Sequence, residues 1–327
     1  MPASANSNKT YDVRTIREDL QDAMVSISPT ETPFMSAIGT KSASNTFFEW
    51  PVVNLAAPSS ANRVIEGEND PGNDAPTNAL RLGNYTQLSD KVVEVSSTAE
   101  AVNGAADAQT LAKQIAYKLK ELKRDMETML LDNVAANAGA AATARATAGL
   151  PAFLRTNVSR GGGSPAGANG TLSGTTNGFP NAAATDAGTT RELTEALLRG
   201  VIANCWTNGA EPSIVMVGAG SKQKISTAFT GTATKFKNVD DKKIVAAVDL
   251  YVSDFGELQV VPNRWQRTRD VFVLDPSYAR IAYLQRTKQE PLAKTGHAER
   301  RLISVEYGLQ VDNEAAHGII ADINPAL

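Results

Sequence analysis

The side chains able to do covalent or metal chemistry are few: two histidines, His297 and His317, and one cysteine, Cys205, in 327 residues. A lone cysteine makes no intramolecular disulfide, and three Cys/His side chains fall short of the common zinc ligand sets. Neither histidine has a second ligand at i+3 or i+4, so each reads as a surface or structural imidazole. Cys205 follows Val201 at helical spacing and reads as a core thiol. Gly218-Ala219-Gly220-Ser221-Lys222, after an apolar run, looks like a phosphate loop. A P-loop needs four residues between its glycines and Lys-Ser/Thr directly after, and a dinucleotide loop needs a third glycine. The segment therefore reads as a strand-to-helix turn. Glu66, Glu68, Asp70 and Asp74 lack the residue order of a calcium loop and read as a solvated tip. Asn84-Tyr85-Thr86 and Asn157-Val158-Ser159 match glycosylation sequons, which mean little without a secretion signal. No catalytic, cofactor or metal site is expected, although a carboxylate-based enzyme stays open.

The elements that would carry these residues are unequal in length. Residues 1–11 read as disordered. Asp12 could cap a short helix carrying Ile16, Leu20, Met24 and Ile27, ended by Ser28-Pro29-Thr30-Glu31-Thr32-Pro33. Phe34, Met35 and Ile38 form a small apolar anchor. Residues 45–97 read as a two-armed excursion. Phe47, Phe48, Trp50, Val52 and Val53 mark the outgoing arm, and Leu80, Leu82, Tyr85, Leu88, Val92, Val93 and Val95 the returning one. The tip between them is polar and rich in turn formers. Arms of about 10–12 residues reach roughly 35–40 Å. An isolated hairpin of that size is marginal in water, so it packs on its own domain or on a neighbour.

A long helix is expected over 108–138, capped by Asp107, with Leu111, Ile115, Leu119, Leu122, Met126 and Met129 in one stripe. Charged residues, Glu127 among them, fill the remaining positions. At about 1.5 Å per residue this is a rod of roughly 45 Å. Residues 139–190 are mostly Ala, Gly, Thr, Asn and Ser. Except at Leu150-Pro151-Ala152-Phe153-Leu154 they read as too polar for a core, hence a long mobile surface loop. Thr189-Thr190-Arg191-Glu192 reads as a capping box opening a helix through Leu193, Leu197, Val201, Ile202 and Cys205. Strand Ser213 to Val217, helix Lys222 to Phe229 and a hairpin about Asp254-Phe255-Gly256-Glu257 suggest an α/β unit. Strands at 271–274, 279–284 and 303–311 follow, the last alternating strictly. There is no internal repeat.

Hydrophobic residues make up 42 %, aromatic residues 6 % and charged residues 20 % of the chain, with a net charge of −3. These figures describe a soluble globular protein and exclude a strongly basic nucleic-acid binder. No stretch approaches the roughly 18–20 apolar residues of a membrane span, and the start lacks a signal-peptide core, so a cytosolic product is expected. Residues 264–301 hold nine basic and four acidic side chains. That local excess suits a subunit interface or a face toward nucleic acid, without base-reading motifs.

Several segments together resemble the major capsid proteins of tailed bacteriophages with the Hong Kong 97 fold, and a podovirus-type branch in particular. Ser28-Pro29-Thr30-Glu31-Thr32-Pro33-Phe34 is similar to that branch's N-arm junction, and Leu119-Lys120-Glu121-Leu122-Lys123-Arg124-Asp125 to its spine helix. Asp249-Leu250-Tyr251-Val252-Ser253-Asp254-Phe255-Gly256 and Val273-Leu274-Asp275-Pro276 resemble its later strands. Leu292-Ala293-Lys294-Thr295-Gly296, Val305-Glu306-Tyr307 and Asn313-Glu314-Ala315-Ala316-His317-Gly318 resemble its C-terminal signature. The matches run in order from 28 to 318; the Gly-rich loop has none.

The resemblance implies an α+β fold with an N-arm at 1–45 and an extended E-loop hairpin at 46–97. It implies a peripheral domain at 98–154 and 263–327 with the spine at 108–138, a flexible loop at 155–189 and an axial domain at 190–262. One interlocking tile is expected rather than two independent domains. The implied function is assembly of hexamers and pentamers into an icosahedral virion shell around double-stranded DNA contacted non-specifically, with no cofactor and no membrane. Implied inter-subunit contacts are Phe47, Phe48, Trp50, Arg63, Glu66, Glu68, Asp70, Asp74, Leu80, Leu82 and Tyr85 of the hairpin, and Ile16, Leu20, Phe34 and Met35 of the arm. Leu111, Ile115, Leu119, Leu122 and Met126 would be the spine's core side. No lysine lies between Lys41 and Lys91, so the covalent cross-linking of part of the family is not expected at the hairpin. About 45 residues before the hairpin are too few for a fused helical scaffold, so a separate scaffolding protein, a portal and an outer decoration protein are the expected partners. An encapsulin-like compartment is the alternative.

Overall fold

The computed structural model describes residues 29–325 except 54, 56, 57, 64, 68–75, 103–109, 176, 229–248 and 295. The helix expected at 12–27, with Ile16 and Leu20, lies outside the described residues, as do Glu68, Asp70, Asp74 and the cap Asp107.

The chain enters through a short helix, α1 (Pro33–Ala37), and strand β1 (Gly39–Ser42). A hairpin follows, β2 (Phe47–Val52) against β3 (Leu80–Tyr85), in register from Phe47↔Tyr85 to Val52↔Leu80. The chain then turns at Thr86 into β4 (Gln87–Ser96) and a one-turn helix α2 (Ser97–Ala101). Strand β4 is not part of the hairpin. It pairs with a later strand, β13 (Ala298–Val311), in a four-stranded sheet ordered β1-β12-β13-β4, where β12 is Ala279–Pro291. The expected 46–97 excursion is thus shorter than its sequence span. Val93 and Val95, read as its returning arm, are buried in this sheet. Their alternation with exposed Leu88, Val92 and Glu94 is that of a strand with one covered face.

The spine, α3 (Leu111–Leu131), covers that face. Leu111, Leu122, Met126, Leu130 and Leu131 are buried, and Ile115 and Leu119 are packed beside them at the core's edge. Its 21 residues span about 31 Å, less than the rod expected over 108–138. The early end has a local cause. The Asn133 side chain donates to Ala184 O (2.6 Å) and accepts from Ala184 N (3.0 Å). Those bonds draw the chain out of the helix just past Asp132, whose backbone is extended. Helix α4 (Leu150–Phe153) is buried throughout, as its apolar composition requires.

The Gly-rich segment is not a structureless loop. It contains β5 (Val158–Ser159) and a small ladder of β6 (Thr171–Leu172) with β7 (Pro180–Ala182). It is held by polar anchors rather than by a core of its own. Gly83 N donates to Gly178 O (2.9 Å), Gly178 N to Arg81 O (2.7 Å), and Asp322 accepts from Gly161 N and Ala187 N (2.9 Å each).

The second sheet is ordered β5-β14-β11-β8-β10-β9. Its members are β8 (Ile214–Val217), β9 (Leu250–Ser253), β10 (Gly256–Pro262), β11 (Val271–Leu274) and β14 (Gly318–Ile320). Helix α5 (Glu195–Thr207) is capped by Thr194, which accepts from Leu197 N; the capping box expected at Thr189–Glu192 does not form, because Arg191 bridges Ile323 instead. Helix α6 (Ala219–Ala228) follows β8 directly, so the strand-to-helix turn expected over Gly218 to Lys222 narrows to Gly218, and Ala219 to Lys222 are the helix's first turn. Strands β8, β11 and β14 are apolar on both faces because each face meets a different core. Met216, Phe272 and Ile319 join the spine's core, whereas Val215, Val217, Val271, Val273 and Ile320 join that of α5. The boundary drawn at 262/263 therefore cuts through a sheet, since β11 pairs with β8 from Val271↔Val217 to Leu274↔Ile214.

Candidate functional site

The hairpin base is an aromatic junction. Trp50 is buried, donates Nε1 to Val311 O (2.9 Å) and stacks on Phe48 at 5.7 Å between centroids. Phe47, Tyr85 and Phe179 form a second group at 4.8–5.9 Å. Gly83 makes this possible, since a Cβ there would lie 2.7 Å from Phe47 Cζ. Phe48, Trp50 and Leu82, expected as contacts to a neighbour, lie in their own chain's core. Leu80, Phe47 and Tyr85 are half-buried, and Arg63 and Glu66 are exposed. Beyond Val52 the ladder stops. Val53, Leu55 and Ile65 are exposed by 54 %, 84 % and 79 %, and these apolar side chains were not among the expected contacts. A groove of about 680 Å³ opens between Val53 and Leu55 on one side and Arg155, Asn208 and Glu314 on the other. On the far end of the second sheet, Trp206 and Phe255 lie 5.2 Å apart, both partly exposed, beside exposed Val252.

The N-terminal junction is anchored on the spine. Phe34 is buried, Met35 half-buried. Their backbone N–H groups donate to the two carboxylate oxygens of Glu127, at 2.7 and 2.8 Å. Glu127, off the apolar stripe in the sequence, is nevertheless fully buried. Burial raises its carboxyl above the ordinary carboxylate range, opposed by its N–H donors and Asn263.

A charged hub joins four separate segments. Arg267 pairs with Asp186, with Asp270 (3.0 Å) and at longer range with Asp132; Arg269 pairs with Asp322 (2.7 Å) and Asp186 (3.4 Å). Asp322 and Asp270 are fully buried. Elsewhere Arg145 pairs with Glu306 and donates Nε to Thr86 O (2.6 Å), fixing the elbow between β3 and β4. These partners are far apart in sequence, and no local pattern announces them. Seven of the nine basic residues in 264–301 (Arg267, Arg269, Arg280, Lys288, Lys294, Arg300, Arg301) are ion-paired. Arg267, Arg269, Arg280 and Arg300 pair with acids outside that stretch, whereas Lys288, Lys294 and Arg301 pair with Glu290 and Glu299 inside it.

Cys205 is wholly buried, and burial pushes its thiol up to about 12, so it is a core thiol without nucleophilic character. His317 is buried; Nδ1 accepts from Asp275 N (3.3 Å), and Nε2 lies 3.5 Å from Tyr278 O. Burial pushes its imidazole down to about 4, whereas an unfolded histidine titrates near 6.5. Between those values the unfolded chain binds more protons, so this group costs stability as pH falls from 6.5 toward 4. Asp270 acts oppositely. Burial raises it to about 6 from 3.8, so acidification through that window favours the fold. We expect the His317 Cε1–H resonance of the unassembled subunit to stay at its neutral position down to pH ~5. A titration midpoint above pH ~6 would contradict its burial. Among the described residues no group of three or more His, Cys, Asp or Glu is placed to hold a metal, and no helix is long and apolar enough to cross a membrane.

Comparison with known proteins places this architecture. The family model of the SU10 major capsid protein matches residues 4–324. The major capsid protein of Escherichia phage Phieco32 is 27 % identical over 320 residues, covering 90 % of each chain. The cyanophage A-1(L) capsid asymmetric unit superposes with a TM-score of 0.64 at 15 % identity, over 96 % of this chain and 98 % of that one. The holo-SrpI encapsulin complex from Synechococcus elongatus PCC 7942 gives 0.56 at 9 % identity, over 95 % and 94 %. The encapsulin shares the fold alone, and the family match to capsid proteins decides against both the compartment and the carboxylate enzyme. A hairpin leaving an aromatic base, a spine on a four-stranded sheet and a second sheet with its own core are the parts of the Hong Kong 97-type fold, and this chain belongs to the SU10 major capsid protein family, as a self-assembling shell subunit of the tailed-phage virion rather than an enzyme.

Proposed function

We propose that the shell is held non-covalently, by the hairpin and the N-terminal arm of each subunit lying on its neighbours. The observation that carries this reading is the hairpin beyond Val52. Its ladder ends while Val53, Leu55 and Ile65 point large apolar side chains into solvent. At ~25 cal/mol per Å² a neighbour covering them gains little per contact, but the gain repeats over every subunit of a closed shell. The sequence between Lys41 and Lys91 has no ε-amine for a covalent bond to a neighbour.

In this reading α3 and the sheet β1-β12-β13-β4 form the peripheral part. Helix α5 with β8, β9, β10 and α6 forms the axial part. Trp206, Phe255 and Val252 are apolar contacts between copies around the centres of hexamers and pentamers. Exposed Arg63 and Glu66 adjust polar contacts near the hairpin tip. A separate scaffolding protein, a portal, an outer decoration protein and non-specifically contacted double-stranded DNA are the partners.

The test is deletion of residues 59–79 from the full chain. The junction of Trp50, Phe48 and Phe153 lies outside the deletion, so the subunit keeps its fold by circular dichroism. Electron microscopy then shows free capsomers or subunits where the intact chain forms shells. Normal shells from the deleted chain would sink the reading.

A further inference from the structure

One buried charge on the spine serves no packing purpose. Glu127 sits at the boundary between the spine and the entering chain, with no exposed surface. Its Oε1 accepts from Phe34 N and from Asn263 Nδ2, both at 2.7 Å, and its Oε2 from Met35 N at 2.8 Å. The two backbone donors are the first free N–H groups of α1, which a carboxylate satisfies strongly. Asn263 is itself fixed: its N donates to Val217 O (2.8 Å), and its Oδ1 accepts from Trp265 N (2.8 Å). Trp265 then donates Nε1 to Glu31 O (2.7 Å), and Arg124, one turn before Glu127, lies 5.4 Å over its ring. The entering chain is therefore gripped at Glu31, Phe34 and Met35 from two elements, the spine and the β10–β11 connection.

Burying a carboxylate for three donors is a poor way to gain stability, because desolvating the charge offsets much of what the hydrogen bonds return. What the carboxylate adds is direction. Two backbone N–H groups on two oxygens leave α1 one orientation, and Pro33 and the Trp265 bond set where the chain before it departs.

We propose that Glu127 is a positioning residue for assembly. With Asn263 and Trp265 it sets the point and direction at which residues 1–32 leave the subunit body, so that the arm meets its neighbour in one register. This rests on the reading of those residues as an inter-subunit arm.

Two substitutions in the full chain test it, under conditions in which the unaltered chain forms closed shells. Glu127→Gln keeps the size but turns an NH2 toward one backbone donor. Amide exchange at Phe34, Met35 and Ser36 should rise about tenfold or more, while residues 122–131 of the spine stay protected. Glu127→Met fills the space without charge. Phe34 N, Met35 N and Asn263 Nδ2 then lose this acceptor, so the subunit should melt lower. Well below that melt, where it is folded by circular dichroism, the yield of closed shells should still fall about tenfold as open or irregular particles replace them. A folded subunit that fails to close shells is a result that a purely structural role does not give. Normal shells from Glu127→Met, or exchange rising equally along the spine in Glu127→Gln, would overturn the proposal. Normal shells after deletion of residues 1–28 would overturn the arm reading instead, while the selective exchange at 34–36 would stand.

Discussion

Replacing Asp322 by alanine is expected to cost the subunit about 3–5 kcal/mol, a large part of a typical domain's stability. The carboxylate has no exposed surface, and four donors meet it or its backbone. Gly161 N and Ala187 N donate to its oxygens at 2.9 Å, Arg269 Nη2 donates to Oδ1 at 2.7 Å, and Arg191 N donates to Asp322 O at 2.8 Å. Alanine keeps only the last. It leaves two buried N–H groups without this acceptor and one guanidinium with only Ala187 O (2.9 Å) and its longer contact to Asp186. The position adds a backbone term. Asp322 has φ 63°, a left-handed conformation that aspartate and asparagine tolerate and alanine resists. Asp322→Asn keeps the shape and that tolerance, so it should lose less than half as much. Chemical denaturation of the unassembled subunit measures both. The loss should first appear as proteolysis within 160–189, because those residues are anchored through this carboxylate. Equal stability of the alanine variant would mean that the Gly-rich segment is held by something else.

Trp50→Ala should cost about 3–5 kcal/mol, the range for removing a large buried aromatic. The indole packs on Phe48 and, at 6.2 Å between centroids, on Phe153, and it ties the hairpin to β13 through its bond to Val311 O. Trp50→Phe keeps most of the packing and leaves one carbonyl unpaired, for about 1–2 kcal/mol. The functional consequence is larger than the energy suggests. With its base loosened, the hairpin loses the fixed direction from which its exposed tip leaves. Closed shells should therefore be lost from the alanine variant even where the subunit remains mostly folded. Melting of the subunit and micrographs of its particles, taken on the same preparation, separate the two effects.

Much of this architecture was legible in the chain because apolar periodicity is local information. The stripe Leu111, Ile115, Leu119, Leu122, Met126 could only be a helix facing a core. The runs at 214–217 and 271–274 read as strands, the first of them buried, and the alternation from 303 to 311 as a strand with one covered face. The turn at Asp254-Phe255 was readable from its residues, and so was the anchor at Phe34. What failed failed for a common reason. The Gly-rich segment looked structureless because its order comes from Asp322, Asn133 and backbone groups of β3, none within it. The capping box at 189–192 was outcompeted by the bridge from Arg191 to Ile323. The hairpin was read too long because strand propensity does not say which sheet a strand joins, and β4 pairs with a partner some two hundred residues away.

The contacts behave the same way. The residues that look sticky in sequence, Phe48, Trp50 and Leu82, are inside. Val53, Leu55 and Ile65, less conspicuous, are outside, because the ladder ends at Val52. The acidic residues that matter most, Glu127, Asp270 and Asp322, sit in unremarkable surroundings along the chain. By itself the sequence determined the element types, the scarcity of reactive side chains and an ordered likeness to phage capsid proteins, since each depends on residue identity and near-neighbour spacing. The tertiary structure alone decided which strands share a sheet, which charges are buried in pairs and which apolar side chains are left exposed, since each depends on groups distant in sequence meeting in space.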